Sequence, residues 1–142
     1  MMFKFWKKRI TIFRWQKAQS FMSKGAFSDA IRIFECLEMP DGPKQIALLQ
    51  YANALYHLGK HEKALEKYLL AKKVELKWGA RKNKANSEYI IAYAELYSKI
   101  QEQIIQSNRN NPFDWTAPRI KKLSLISASK RVKELYLPLP TM

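Results

Sequence analysis

Large apolar residues recur along most of this chain at steps of three and four, with polar residues between them. That spacing predicts helices, because it gathers one face of a 3.6-residue turn. The first clear stretch is "TIFRWQKAQSFMSK" at 11–24, stopped by Gly25. Upstream, Phe3, Trp6, Ile10 and Phe13 keep helical spacing, while Phe3/Phe5 and Ile10/Ile12 alternate as a strand would, so 2–10 fits either reading. A second helix is expected from near Ser28 through "DAIRIFECLE" to a break at 39–43, "MPDGP". There Asp41 and Gly42 precede Pro43, a cap-like pair followed by proline at an early helical position. The third helix reads "KQIALLQYANALYHL" and ends at Gly59, and the fourth runs from there to about Lys77, closed by Gly79. A longer one is expected over 85–107, where Tyr89, Tyr93, Leu96, Ile100 and Ile104 form a stripe. "SNRNNP" at 107–112 reads as a loop. A last helix is expected after Thr116, with Pro118 in its first turn, reaching about Leu135 before the proline-rich tail "YLPLPTM". Nothing reads as a strand with any clarity, and the expected fold class is all-α.

The pattern also repeats. "SKGAFSDAIRIFECL" at 23–37 aligns with "HLGKHEKALEKYLLA" at 57–71: Gly25 with Gly59, Phe27 with His61, Ala30 with Ala64, Phe34 with Tyr68 and Leu37 with Ala71, each 34 residues apart. Ala18 with Ala52 and Phe21 with Leu55 continue the register upstream. Small residues at 18, 30, 52 and 64 let paired helices approach closely, aromatics at 34 and 68 fill the gap to the next pair, and the glycines permit the left-handed turn between helices. A 34-residue helix pair is the period of the tetratricopeptide repeat, and residues 11–77 resemble two degenerate copies of it. The family's early tryptophan position is Arg14, beside Trp15, in the first copy and Leu48 in the second. Its closing proline is displaced to Pro40 in the first copy and missing from the second. The resemblance implies antiparallel helix pairs stacked as a short superhelix. Beyond residue 78 the period is lost, so the helix over 85–107 is expected to cap the stack, with the last helix completing it.

Length and charge refine this. A chain of 142 residues suits one domain, divided here into a basic aromatic segment 1–10, a helical domain 11–108, and a loop, basic amphipathic helix and tail over 109–142. The balance of 26 Lys and Arg against 12 Asp and Glu gives a net +14, which predicts attraction to anionic surfaces without choosing among them. The excess sits at the ends and in one connection, and Lys7, Lys8, Arg9, Lys77, Arg81, Lys82, Lys84, Lys121 and Lys122 are the candidates for steering a partner electrostatically. The single Cys36 fits a reducing compartment, charges interrupt any signal-like apolar run, and no stretch is long enough to cross a membrane, so a cytoplasmic location is expected.

No pattern for catalysis or a cofactor emerges. There is no glycine-rich phosphate loop, paired metal-type cysteine or nucleophile elbow, so neither enzyme nor cofactor is expected. Cys36 falls on the apolar side of "IRIFECLE" and is expected to be buried. His57 and His61 straddle Gly59 without a third ligand, which argues against zinc, and His61 stands at a packing position of the repeat. Glu62 and Glu66 read as partners for Lys63 and Lys67 on a solvated face.

The family resemblance implies a groove lined by the first helix of each pair. Carried onto this chain it comprises Ile12, Trp15, Gln19 and Met22, then Ile46, Leu49, Asn53, Tyr56 and His57. The family's carboxylate clamp is expected to be missing, because Asn53 matches one of its asparagines while Ile46 and Leu49 stand where basic groups are wanted. The expected function is a non-enzymatic module of adaptor, chaperone or toxin-neutralising type. It would bind an acidic protein through this apolar groove and the basic ends, with no small-molecule substrate. The competing reading of the groove is that the chain's own ends cover it. "FKFWKKRITIFRW" also has the composition of an interfacial membrane helix, and interleaved bases and aromatics leave nucleic acid as a further alternative.

Overall fold

The computed structural model describes residues 2–39, 43–78 and 84–109. These form five α-helices: α1 (Met2–Ser23), α2 (Phe27–Glu35), α3 (Pro43–His57), α4 (His61–Trp78) and α5 (Lys84–Arg109). No strand occurs among the described residues, and the fold is all-α. The last expected helix and the proline-rich tail lie outside them.

Residues 2–10 are helical and continuous with α1. A helix satisfies its backbone hydrogen bonds internally, whereas a strand there would need a partner that the described residues do not offer. α2 is shorter than the expected run through Glu38 and stops at Glu35. The amides of Cys36 and Leu37 turn back to the carbonyls of Ile33 (3.1 Å) and Phe34 (3.2 Å), tightening the last turn. This corrects the expectation for Cys36, which is exposed. In the register of α2, Cys36 follows Arg32 by four residues and Asp29 by seven, both exposed, while Ala30, Ile31 and Phe34 carry the buried face.

The two helix-to-helix turns are built alike. Gly25 has φ +78° and Gly59 φ +77°, a conformation that side chains disfavour. Past each glycine the chain bonds back to the preceding helix at 2.9 Å, from Ala26 N–H to Phe21 O and from Lys60 N–H to Leu55 O. The next helices open with Ala30 N–H to Ala26 O at 3.1 Å and Ala64 N–H to Lys60 O at 3.0 Å. Every one of these atoms has its counterpart 34 residues on.

The core follows from the same register. Ala18, Ala30, Ala52 and Ala64 are all fully buried, the condition for backbones to approach closely within a pair. α1 packs on α2, α2 on α3, α3 on α4 and α4 on α5, with lighter contacts from α3 to α1 and α5. The helix pairs therefore form a stack. Phe34 bridges neighbouring pairs by stacking on Tyr51, ring centroids 5.6 Å apart. Tyr68 does so by packing on Tyr97 of α5, also at 5.6 Å. The expected stripe on α5 turns inward: Tyr89, Tyr93, Ile100 and Ile104 are buried and Leu96 packs against them. In α1, the described side chains that join the core are Trp15, Ala18, Phe21 and Met22.

Candidate functional site

The nine groove residues expected from the sequence separate into two groups. Met22, Leu49 and Asn53 lie in the core at 7%, 0% and 2% exposure. They are corrected from groove-lining to packing residues, because α1, α4 and α5 close over the stripe of α3 that carries Leu49 and Asn53. The others remain at the surface or its rim. Trp15, Gln19, Ile46 and Tyr56 are half-buried, and Ile12 and His57 are exposed.

Trp15 is fixed from two directions. Its ring packs against the core, and its Nε1–H donates to Gln50 Oε1 at 2.7 Å, tying α1 to α3. Gln50 itself is fully buried. A hydrogen-bonded indole held half-exposed on a seam offers apolar area without losing rotamer freedom on binding. At the other end of α3, His57 stacks on Phe27 with ring centroids 4.3 Å apart and planes 5° from parallel. Although the residue is exposed, the face covered by Phe27 is partly desolvated, and this holds the His57 imidazole below its ordinary pKa.

Asn53 has an internal occupation that closes it to a guest. The Tyr68 hydroxyl donates to its Oδ1, and its Nδ2 donates to the Tyr93 hydroxyl at 3.0 Å. Tyr93 in turn hydrogen-bonds Tyr97, with the two rings stacked at 4.2 Å. One amide thus joins α3, α4 and α5. Burial raises the Tyr68 and Tyr93 hydroxyls well above the ordinary phenol pKa and raises Tyr97 as well, so all three are neutral donors at physiological pH.

This polar layer continues to His61, whose Nδ1 lies 2.8 Å from Gln101 Oε1. Gln101 is fully buried, and its Nε2 has no partner among the described residues. His61 also meets the Tyr56 ring edge-on at 5.5 Å, which agrees with the packing role read from the repeat. Among the described residues no cluster of three or more His, Cys, Asp or Glu could hold a metal ion.

Several features were not legible in the sequence. Gln45, Gln50 and Gln101 are all fully buried, which nothing in the local sequence marks. Glu75, the lone acid of the basic connection, is buried and accepts from Gln45 Nε2 at 2.9 Å. Lys67 sits 3.9 Å from its neighbour Glu66 and extends over the Tyr51 ring at 5.4 Å. Lys72 pairs instead with Glu95 of α5 at 3.0 Å. A cleft of about 240 Å³ opens between the end of α2 and α3, walled by Phe34, Leu37, Met39, Ala47, Leu48 and Tyr51 with Glu38 and Lys44 at its edge. Its walls come from positions either side of "MPDGP", a signal that read only as a break.

Of the expected steering cations, Arg9 and Lys77 are exposed. Lys7 and Lys8 belong to α1 and Lys84 opens α5. Arg81, Lys82, Lys121 and Lys122 lie outside the described residues. No helix among the described residues is long and apolar enough to cross a membrane. No family model, curated protein or solved structure matches the chain.

Proposed function

We propose that this protein is a non-enzymatic, tetratricopeptide-like interaction module that captures an acidic protein along the α1–α3 seam. The observation that carries this reading is Trp15, half-exposed and pinned to Gln50, with the half-buried Gln19 one turn further along α1 and the half-buried Ile46 one turn before Gln50 on α3. Rigid aromatic anchors surrounded by partly shielded apolar contacts are where binding energy concentrates. The surface departs from the implied groove in being narrower, since Leu49 and Asn53 belong to the core. The 34-residue identity of the two turns supports the repeat assignment. The cleft beside Leu48 and Tyr51, edged by Lys44, offers a second apolar socket on the neighbouring pair. The net +14 favours an acidic partner and speeds its encounter. Adaptor, chaperone and antagonist roles all use such a module.

A photo-crosslinking amino acid at Gln19 or Ile46 tests the proposal in native cells. Both positions are expected to capture one common acidic protein, while the same group at Leu69, an exposed residue of α4, captures none of it. Equal capture from all three positions, or from none, would refute the seam as the binding site.

A further inference from the structure

A different face of α1 suggests a second activity, independent of the seam. By the helical repeat of 100° per residue, Arg9, Phe13 and Lys17 follow one another along one side, with Ile10 and Arg14 beside them. All five are exposed, Phe13 at 68% and Ile10 at 44%. Trp15, Ala18 and Met22 occupy the opposite side, and Phe21, two turns beyond Arg14, bounds the exposed face at its C-terminal edge, all four against the rest of the stack. A 22-residue helix runs about 33 Å while the nine residues of α2 run about 14 Å, so α1 outreaches its partner. The apolar pair Ile10 and Phe13 falls in the outreaching part, N-terminal to every described α1 side chain in the core.

Charge selects what can cover this face. Residues 1–28 contain seven Lys or Arg and no Asp or Glu. None of Arg9, Arg14 and Lys17 has an ion-pair partner among the described residues. A second copy offering the same face would be repelled. Duplex nucleic acid would use the cations but leave a protruding phenyl and an isoleucine in water, and a single strand stacking on Phe13 would still leave Ile10 there. A lipid interface uses both, taking the apolar tips below the headgroups while long basic side chains reach the phosphates. Upstream, the same helix carries further residues of this kind: eight of positions 1–13 are apolar and four are basic, with Trp6 two turns before Phe13.

We propose that α1 docks on an anionic phospholipid surface through Phe13 and Ile10, flanked by Arg9, Arg14 and Lys17. The protein then lies on the bilayer without crossing it, and the α1–α3 seam on the other side of the helix stays open to a protein partner. The test is flotation of the full chain with vesicles of phosphatidylcholine alone and with added phosphatidylserine. Binding is expected only with phosphatidylserine. Ile10→Ser/Phe13→Ser should lower the partition coefficient at least about tenfold, from the apolar area lost. Arg9→Gln/Arg14→Gln/Lys17→Gln should lower it by roughly a hundredfold, since each base near an anionic surface contributes separately. All five side chains are exposed, so a thermal melt of each variant should match that of the parent. Absence of flotation, equal flotation with both vesicles, or undiminished flotation of the serine variant each overturns the proposal. The last result would also signify a purely electrostatic polyanion site, as nucleic acid would use.

Discussion

Asn53 separates two readings of the same face, and replacing it distinguishes them. As a groove residue its removal would weaken a partner and leave the fold alone. In the structure its amide accepts from Tyr68 and donates to Tyr93, both buried, so its removal should act on stability. Asn53→Leu keeps the bulk and removes both bonds. The Tyr68 hydroxyl, in a side chain with no exposed surface, then loses its acceptor. A buried donor left unmatched costs about 1–3 kcal/mol. Tyr93 keeps its bond to Tyr97 and loses the bond from Asn53 Nδ2 together with its longer 3.3 Å contact to Oδ1, about 0.5–1.5 kcal/mol more. The sum is about 1.5–4.5 kcal/mol, a large part of the 5–15 kcal/mol typical of a domain. For a chain of this size that lowers Tm by about 5–15 °C.

A rescue makes the reasoning specific. Asn53→Leu combined with Tyr68→Phe removes both partners of the buried Tyr68 bond while Tyr93 keeps its bond to Tyr97, and matched apolar replacement is close to neutral. The double variant should therefore recover most of the stability lost at Tyr68, although Tyr68→Phe alone is destabilising. Urea unfolding followed by circular dichroism measures all members of the cycle. A cost below about 1 kcal/mol for Asn53→Leu, or a double variant less stable than the single one, refutes the account.

Two further predictions concern the turns and the tyrosines. Gly25→Ala and Gly59→Ala should each cost about 1–2 kcal/mol in urea unfolding, and by similar amounts, because both glycines hold positive φ and a Cβ at either would meet nothing within 4 Å; a large difference between them would contradict the equivalence of the two turns. Tyr68, Tyr93 and Tyr97 have folded-state pKa values above those of the unfolded chain, so their contribution is fully present below about pH 10 and declines as pH rises beyond it. Ultraviolet titration should show their phenolate absorbance appearing only with unfolding, and early ionisation in a still-helical protein would refute their burial.

Local periodicity carried much of the fold. Apolar steps of three and four marked the helices, Gly25 and Gly59 marked two of their ends, and the 34-residue recurrence of Ala18, Ala30 and Phe34 foretold which faces pack. These signals are legible because they depend on neighbours within a turn or two of the same helix. Where the pattern was ambiguous, as over 2–10, the competing strand needed a distant partner that sequence could not supply or deny. Cys36 misled for a different reason: its apolar neighbours Phe34 and Leu37 do not share its helical face, whereas the exposed Arg32 and Asp29 do.

The site was less legible, because burial of a polar group depends on what comes to cover it. Asn53, Gln50, Gln101 and Glu75 carry no local mark distinguishing a core amide or carboxylate from a solvated one. Tyr93 lies 40 residues from Asn53, and Gln50 lies 35 from Trp15, so only the stacked helices bring those donors and acceptors within reach. The sequence by itself determined helices, their pairing and the basic excess, since these follow from short-range spacing and composition. Tertiary structure alone decided that the centre of the implied groove is core, that Trp15 is braced by Gln50 at the surface, and that Phe13 stands in solvent among cations with no ion-pair partner among the described residues, since each depends on which distant helix lies beside it.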